Sequence, residues 1–165
     1  MMQPLTPAQI RESFVNVSQG EVQSLSMPGL HEVIWDDREY LGWRDRQAHQ
    51  RGYLVFWRGD TPVGLALRAS DFSLQPGIRA MCALCRITQP SHQVTMFSAP
   101  RAGQAGRDGN TVGTYICDDL ACSHLIRILP AESPMMPPRH ELLTQRSVGL
   151  SERVAAFAAS VMKTA

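Results

Sequence analysis

The four cysteines of this chain constrain its fold more than any other feature, because they occur as two close pairs. Two residues separate Cys82 from Cys85, and four separate Cys117 from Cys122. A tetrahedral Zn²⁺ ion takes four thiolates from two short backbone turns, each of which holds two sulfurs a few ångströms apart. We therefore expect one structural zinc ion, bound by all four cysteines.

Cysteines in such pairs have three alternative roles: disulfide bonds, a redox site, or buried residues without a ligand. A disulfide framework is typical of short secreted chains, but residues 1–6 show no basic stretch followed by an apolar run, as an export signal would. A C-x₂-C pair is also found in thioredoxin-type redox sites, which would leave the second pair unexplained. Buried cysteines without a ligand are the third alternative. His124, two residues after Cys122, is a further candidate that could replace one thiolate.

The composition is that of a soluble globular protein. Hydrophobic residues make up 44% of the 165 residues, which is enough for the core of one domain. No apolar run approaches the roughly 18 residues that a membrane-spanning helix needs, so we predict a cytoplasmic protein without a membrane partner. The formal net charge of +1 does not decide for or against a nucleic-acid partner.

The charges are unevenly distributed along the chain. Acidic residues are concentrated in the stretch 32–39, whereas arginines lie close to the cysteines in sequence. This pattern indicates either an acidic or phosphate-bearing partner for the metal-binding half or an ordinary mixed surface. The arginines concerned are Arg79, Arg86, Arg101, Arg107 and Arg127.

Residues 40–43 are predicted to form a turn against the core, and two β-hairpins are predicted after it. Residues 53–57 and 63–67 are rich in β-branched and aromatic residues and are separated by a Gly-Asp turn. A second pair of strands, 94–98 and 111–117, encloses the glycine-rich loop 100–110. Glycines in this loop allow a positive φ or a close approach of another backbone segment. The second hairpin carries one cysteine pair back toward the other.

Helices are expected on either side of these hairpins. Thr6 followed by Pro7 predicts a helix start, and Asp118 or Asp119 would cap a helix after the second cysteine pair. A knuckle at Cys82, a hairpin and a ligand pair at the start of a helix form a treble-clef arrangement. The predicted fold class is α+β, with antiparallel hairpins and flanking helices around a treble-clef zinc finger.

We predict a boundary in the chain after residue 128. Residues 1–128 would form the α+β domain, with the finger at about 79–128. Residues 129–165 would form a proline-rich, stiff linker and a helical tail. Within the tail we expect a short helix over 141–146 and an amphipathic helix from Ser151, which should pack back on the domain.

Segments around the cysteines resemble the FBP-type C-terminal treble-clef zinc-finger family. This family comprises elongation-factor-G-binding proteins and the FusB-like fusidic acid resistance proteins. The resemblance is carried by residues 81–85 (MCALC) and 109–123 (GNTVGTYICDDLACS), and it covers roughly residues 5–128. Supporting segments upstream are residues 40–45, 51–55 and 62–69.

The resemblance implies a non-enzymatic protein that binds elongation factor G through its zinc-finger lobe. Resistance-type members of the family help to free this translation factor when fusidic acid stalls it on the ribosome. The family's zinc ligands correspond to Cys82, Cys85, Cys117 and Cys122. Binding of elongation factor G is thus the leading functional hypothesis.

Four residues on or beside the glycine-rich loop are our candidates for contacting the partner. They are Arg101, Arg107, Asn110 and Tyr115. A zinc site that holds the hairpin and the following helix as one rigid face would present them at a small ordering cost. The simpler interpretation is that Asn110 is a turn residue and Tyr115 a core residue.

The sequence also bears on two other classes of function. Arginines and aromatic residues near a treble clef are also found in modules that bind RNA or DNA, which makes nucleic-acid binding the alternative to an elongation-factor adaptor. An enzyme is not predicted, because four thiolates leave no open position on zinc for water. The five histidines show no H-E-x-x-H spacing, and no G-x-S-x-G motif is present.

Overall fold

An antiparallel sheet of five strands organises the fold in the computed structural model, which describes residues 2–163. The strands are β1 (Leu41–Arg44), β2 (Arg51–Arg58), β3 (Thr61–Ala69), β4 (Arg79–Met81), β5 (Thr88–Pro90), β6 (Val94–Pro100) and β7 (Thr111–Cys117). Their order in the sheet is β1-β2-β3-β6-β7, while β4 and β5 form a separate two-stranded hairpin.

Five α-helices accompany the strands in the described residues. They are α1 (Pro7–Ser13), α2 (Gln19–Ser24), α3 (Gly103–Arg107), α4 (Cys122–Leu125) and α5 (Arg139–Met162). Short 3₁₀ helices lie at Leu30–Glu32, Trp35–Asp37 and Ser91–Gln93. None of the helices in residues 2–163 combines the length and apolar character needed to cross a membrane.

The start of α1 is the predicted one. The hydroxyl of Thr6 accepts a hydrogen bond from the Gln9 amide at 3.2 Å, and the Gln9 side chain accepts one from the Thr6 amide at 2.9 Å. This reciprocal pair is a capping box, and Pro7 occupies the first helical turn, where no amide donor is needed.

The first predicted hairpin is confirmed as β2 and β3, joined at Gly59 with φ +63°. Strand β2 is buried on both faces, and its residues alternate between two cores. Leu54 and Phe56 lie in one core, and Tyr53 and Val55 lie in the other. The central part of the sheet is therefore covered on both sides.

The two cores hold different parts of the chain. One core packs the N-terminal segment, including Ile10 and Leu25, against Trp43 and Tyr53. The other contains the four cysteines together with residues of α5 such as Val154. This arrangement confirms the predicted α+β class with antiparallel hairpins, flanking helices and a cysteine cluster of treble-clef type.

The second predicted hairpin is confirmed as β6 and β7. The loop between them contains the short helix α3, which the sequence did not predict. Gly103 and Gly109 have φ values of +70° and +91°. A Cβ at Gly106 would overlap the carbonyl oxygen of Arg101. The three glycines thus serve the two purposes that we expected of them.

The predictions of one turn and of one helix cap were wrong. Residues 40–43 were expected to form a turn, but Leu41–Arg44 is strand β1, paired with β2. Neither Asp118 nor Asp119 caps α4, since that helix begins at Cys122 without a side-chain cap. The Asp119 carboxylate instead accepts a hydrogen bond from the Ala121 amide at 3.0 Å, which stabilises the turn before the helix.

The C-terminal segment forms one continuous helix, α5, instead of a short helix over 141–146 followed by a second one from Ser151. Its buried residues repeat at helical spacing and enter the core that holds the cysteines, so the predicted packing against the domain is confirmed. They are Leu150, Val154, Ala158 and Val161. The boundary after residue 128 stays a prediction.

Candidate metal centre

The two cysteine pairs meet inside the core. The four sulfur atoms all lie within 4.8 Å of one another, and all four residues are buried. The Sγ atoms of Cys82 and Cys122 are 3.6 Å apart, as are those of Cys85 and Cys117. Each of these contacts joins one cysteine from the first pair to one from the second. The fold therefore positions four thiols to bind a metal ion.

The spacing of the sulfurs fits a tetrahedral metal ion better than disulfides. Zn–S bonds of about 2.3 Å in a tetrahedron place neighbouring sulfurs about 3.8 Å apart, close to the 3.6 Å found here. A disulfide needs about 2.05 Å between sulfurs. His124 is exposed on α4 and is not part of the cluster.

A tight turn holds the first pair. Arg86, directly after Cys85, has φ +59°, and its amide donates to the carbonyl oxygen of Cys82 at 2.9 Å. The turn aims the amides of Leu84 and Cys85 at the Cys82 sulfur, at 3.3 and 3.4 Å. Such donors stabilise a thiolate. The Ala83 amide donates to the backbone oxygen of Tyr115 at 2.7 Å, which ties this turn to β7.

A second turn places the other pair at the end of β7 and the start of α4. Leu120, in the middle of this turn, has φ +57° and is completely buried. A left-handed conformation costs a non-glycine residue roughly 1–2 kcal/mol. Burial of the Leu120 side chain in the core offsets that cost, because burying a leucine stabilises the fold by roughly 1.5–3 kcal/mol.

Two polar residues that the sequence analysis missed contact the site. The Gln89 side-chain amide donates to the Cys117 sulfur at 3.2 Å, and the Cys122 backbone amide donates to the Tyr40 hydroxyl at 3.3 Å. Hydrogen bonds of this kind orient metal ligands and tune their basicity. No spacing pattern marks Gln89. Tyr40 begins one of the upstream segments that carried the family resemblance.

The close sulfurs constrain one another's ionisation. Contact with Cys117, and then with the other two sulfurs, raises the pKa of Cys122 well above its usual value, and burial adds to this effect. The pKa of Cys82 is lowered, because Cys117 and Cys122 donate hydrogen bonds to it. A negative charge on one cysteine sulfur therefore raises the pKa of a neighbouring cysteine, which keeps its proton. A divalent cation would allow all four to ionise.

Gly42 allows the turn at Leu120 to pack directly on β1. A Cβ at Gly42 would lie 3.0 Å from Leu120 Cβ and closer still to the Leu120 carbonyl oxygen. The backbone there can move little, because the flanking residues Cys117 and Cys122 share the metal site. No periodicity in the sequence indicates this contact.

We expect Gly42→Ala to lower the free energy of unfolding by about 1–3 kcal/mol, the usual range for overpacking a core. Gly20→Ala is the matched control, since a Cβ there meets no atom closer than 4.0 Å. In helix α2 that control should be neutral or stabilising by up to about 1 kcal/mol. Urea unfolding of both variants measures the effect, and equal stabilities would contradict this account.

Arginine side chains that donate to backbone carbonyl groups link α5 to the segments around the four cysteines. Arg153 donates to the Leu84 oxygen between the first two cysteines. Arg146 donates to the oxygens of Ile126 and Ile128, at 3.2 and 3.3 Å. From the other direction, Arg101 donates to the Ser160 oxygen near the end of α5. The C-terminal helix is therefore part of the structure that surrounds the site.

A buried ion pair joins three further segments. The Arg127 guanidinium donates to both carboxylate oxygens of Glu39, each at 2.9 Å. The Ser147 hydroxyl of α5 donates to the same carboxylate at 2.7 Å. Only 1% of the Glu39 side chain is exposed. Arg127, one of the arginines assigned to a possible phosphate-binding surface, thus has its partner within the chain.

The Glu39 pair should make stability depend on acid pH. Burial raises the pKa of Glu39, but hydrogen bonds from Arg127, Ser147 and Ser123 outweigh it, so the pKa is lowered on balance. Its stabilisation is then fully present above the unfolded-state value of about 4.3. It is lost as the pH falls through the lower folded-state value.

We expect the difference in unfolding free energy between wild type and Glu39→Gln to shrink as the pH falls below about 4.3. Denaturant titrations at several pH values measure it. Both proteins keep the four cysteines, so acid-induced loss of a metal affects them alike. A difference that is constant with pH would contradict the assigned role of the Glu39 charge.

The four residues predicted to contact a partner are not equivalent in the structure. Three of them are exposed: Arg107 on α3, Asn110 in the turn that follows, and Tyr115 on β7. Arg107 is also hydrogen-bonded to Gln104 on its own helix. Arg101 is partly buried and donates to the Ser160 oxygen of α5. Tyr115 was given a core position as its simpler interpretation, but its side chain is 39% exposed.

Comparison with known proteins identifies the family. The model of one family, described as FBP C-terminal treble-clef zinc-finger, matches residues 9–161. The chain belongs to this family. The match includes nearly all of α5 and so extends well past residue 128, where the resemblance in the sequence was expected to end. The family resemblance inferred from the cysteine segments is confirmed.

One solved structure with a similar fold is that of the fusidic acid resistance protein FusC. Its TM-score is 0.60 at 15% sequence identity. The similarity covers 98% of this chain and 60% of the FusC chain. The present chain therefore spans about three fifths of the length of FusC. Comparison with curated proteins gives no match. At this identity, the FusC structure supports the fold alone.

Proposed function

We propose that this treble-clef family member is a zinc-binding adaptor for translation elongation factor G. The observation that carries this proposal is the family match over residues 9–161, which includes the cysteine site and α5. The similar fold of a fusidic acid resistance protein gives further support. In this role the protein would influence release of the factor from the ribosome, as fusidic acid resistance requires.

The proposed cofactor is one structural Zn²⁺ ion held by Cys82, Cys85, Cys117 and Cys122. Four thiolates at tetrahedral spacing suit zinc and fill its coordination shell. A filled shell favours a structural role and a non-enzymatic protein. Sulfurs 3.6 Å apart are not disulfide-bonded, and clusters of reduced cysteines are typical of the cytoplasm, where we place the protein.

The proposed partner surface is formed by α3, β7 and the turn between them, and its exposed residues include Arg107, Asn110 and Tyr115. Two contacts make this surface rigid. The Tyr115 backbone oxygen is bonded to the turn between the first cysteines, and the Arg101 amide is bonded to the Asn110 oxygen at 2.9 Å. A preformed surface loses little conformational entropy on binding. Arg101 would act through α5 and not by direct contact.

Co-migration of the zinc-loaded protein with elongation factor G on a sizing column tests the proposal. We expect a complex, and we expect Tyr115→Ala to weaken it by about 2 kcal/mol or roughly thirtyfold, as for an aromatic hot spot. Phe72→Ala is the control, because Phe72 is 86% exposed and lies outside α3 and β7. No complex with wild-type protein would overturn the proposal.

Nucleic-acid binding, the other function considered, has less support. Arg101 and Arg127 donate to groups of the chain itself, which leaves fewer arginines near the cysteines for phosphates. If the protein bound RNA with an affinity that falls steeply with salt, and did not bind elongation factor G, this alternative would replace our proposal.

A further inference from the structure

Two arginines lie directly opposite each other on neighbouring strands. Arg51 on β2 pairs with Arg68 on β3 in the antiparallel register. Side chains at such positions have their Cβ atoms about 5 Å apart, and like charges there destabilise a sheet. By the alternation of β2, Arg51 shares a face with Tyr53 and therefore lies on the side of the N-terminal core. The fold thus places two positive charges side by side.

Neither arginine of this pair forms an ion pair in the described part of the chain, although Arg51 interacts with the Tyr53 hydroxyl, which donates to the Asp45 carboxylate at 3.3 Å. No carboxylate oxygen of residues 2–163 lies within 4 Å of either guanidinium group. Glu21 lines the same cleft as the two arginines, but its carboxylate lies more than 4 Å from both guanidinium groups. Both arginines are exposed, and most arginines of the described residues likewise lack a carboxylate within 4 Å. What distinguishes Arg51 and Arg68 is that they face each other on paired strands.

The two arginines line one cleft of about 270 Å³. Its remaining wall is mainly apolar and includes Val17, Leu25 and the Tyr53 ring. Leu25 and Tyr53 are themselves buried, at 7% and 5% exposure, so this wall belongs to the packed core. A charged end beside an apolar wall is the usual composition of a ligand site, and this volume suits a single small group.

We propose that this cleft binds an oxyanion, a carboxylate or a phosphate group, between Arg51 and Arg68. Each guanidinium presents paired N–H donors that match the oxygens of such a group. The bound anion would also relieve the repulsion between the two side chains. Any apolar part of the ligand would contact Val17 and Leu25. The site is distinct from the metal centre and does not depend on binding of elongation factor G.

Titration of the metal-loaded 165-residue protein with inorganic phosphate and with acetate tests this site. Backbone ¹H–¹⁵N signals of residues 51–53 and 66–68 report on binding, and chloride at equal ionic strength is the reference. We expect saturable shifts with at least one oxyanion and none with chloride. The anion that binds more tightly shows whether phosphate or carboxylate is preferred.

Variants separate specific binding from general charge. Arg51→Gln/Arg68→Gln should weaken binding at least about tenfold, because both charged donors are lost. Arg11→Gln/Arg46→Gln changes the net charge equally at two exposed positions outside the cleft, and it should bind as wild type does. Each single cleft variant should be intermediate, which provides a test if the double variant does not fold. Shifts equal to those with chloride, or unchanged binding by the cleft variants, would overturn the proposal.

Discussion

Replacing Cys117 by serine is expected to abolish stoichiometric metal binding and to remove the cooperative unfolding transition of the protein. Structural zinc sites contribute on the order of 10–16 kcal/mol in zinc-finger peptides, and whole domains are stable by only about 5–15 kcal/mol. Cys117 ends β7, which is paired along its length with β6 of the main sheet. Loss of the ion would therefore destabilise the sheet as well as the finger.

Metal content by elemental analysis and thermal unfolding followed by circular dichroism measure this effect. Ala83→Ser is the matched control, because it introduces the same hydroxyl group at an exposed position between Cys82 and Cys85. It should retain the metal and the melting temperature of the wild type. The zinc proposal fails if freshly purified wild-type protein holds no metal, or if Cys117→Ser melts as wild type does.

The second large effect is expected at the buried ion pair. Arg127→Met leaves the buried Glu39 carboxylate without its charged partner, and removing one member of a buried pair costs about 3–5 kcal/mol. Asp37 offers a matched comparison. It contacts the same guanidinium at 3.7 Å, but 60% of its side chain is exposed. Asp37→Asn should therefore cost no more than about 1 kcal/mol.

Urea unfolding compares the two variants, and Glu39→Gln/Arg127→Met completes a cycle. Because the double variant leaves no unpaired charge in the core, it should be more stable than Arg127→Met alone. Amide hydrogen exchange in α5 should rise in Arg127→Met, since Ser147 donates to the same carboxylate. Equal stabilities of Arg127→Met and Asp37→Asn would show that burial of the pair contributes nothing.

Much of the local structure followed from short sequence patterns. Thr6 and Gln9 form the capping box that the Thr-Pro start indicated, and Gly59 takes the positive φ of the hairpin turn. These features depend on residues within a few positions of each other. Two of the failed predictions were a turn at 40–43 and a cap at Asp118 or Asp119. The conformation of these segments is set by pairing with strand β2 and by Arg44, which donates to the Asp118 backbone oxygen.

The sequence by itself indicated the cysteine cluster, because the hairpin between the two close pairs returns the second pair toward the first. It also determined the fold class and the family. Only the tertiary structure decided what surrounds the cluster. Glu39 and Arg127 are 88 residues apart, Leu84 and Arg153 are 69 apart, and Tyr40 and Cys122 are 82 apart. Such contacts depend on the packing of distant segments, and no local periodicity encodes their register.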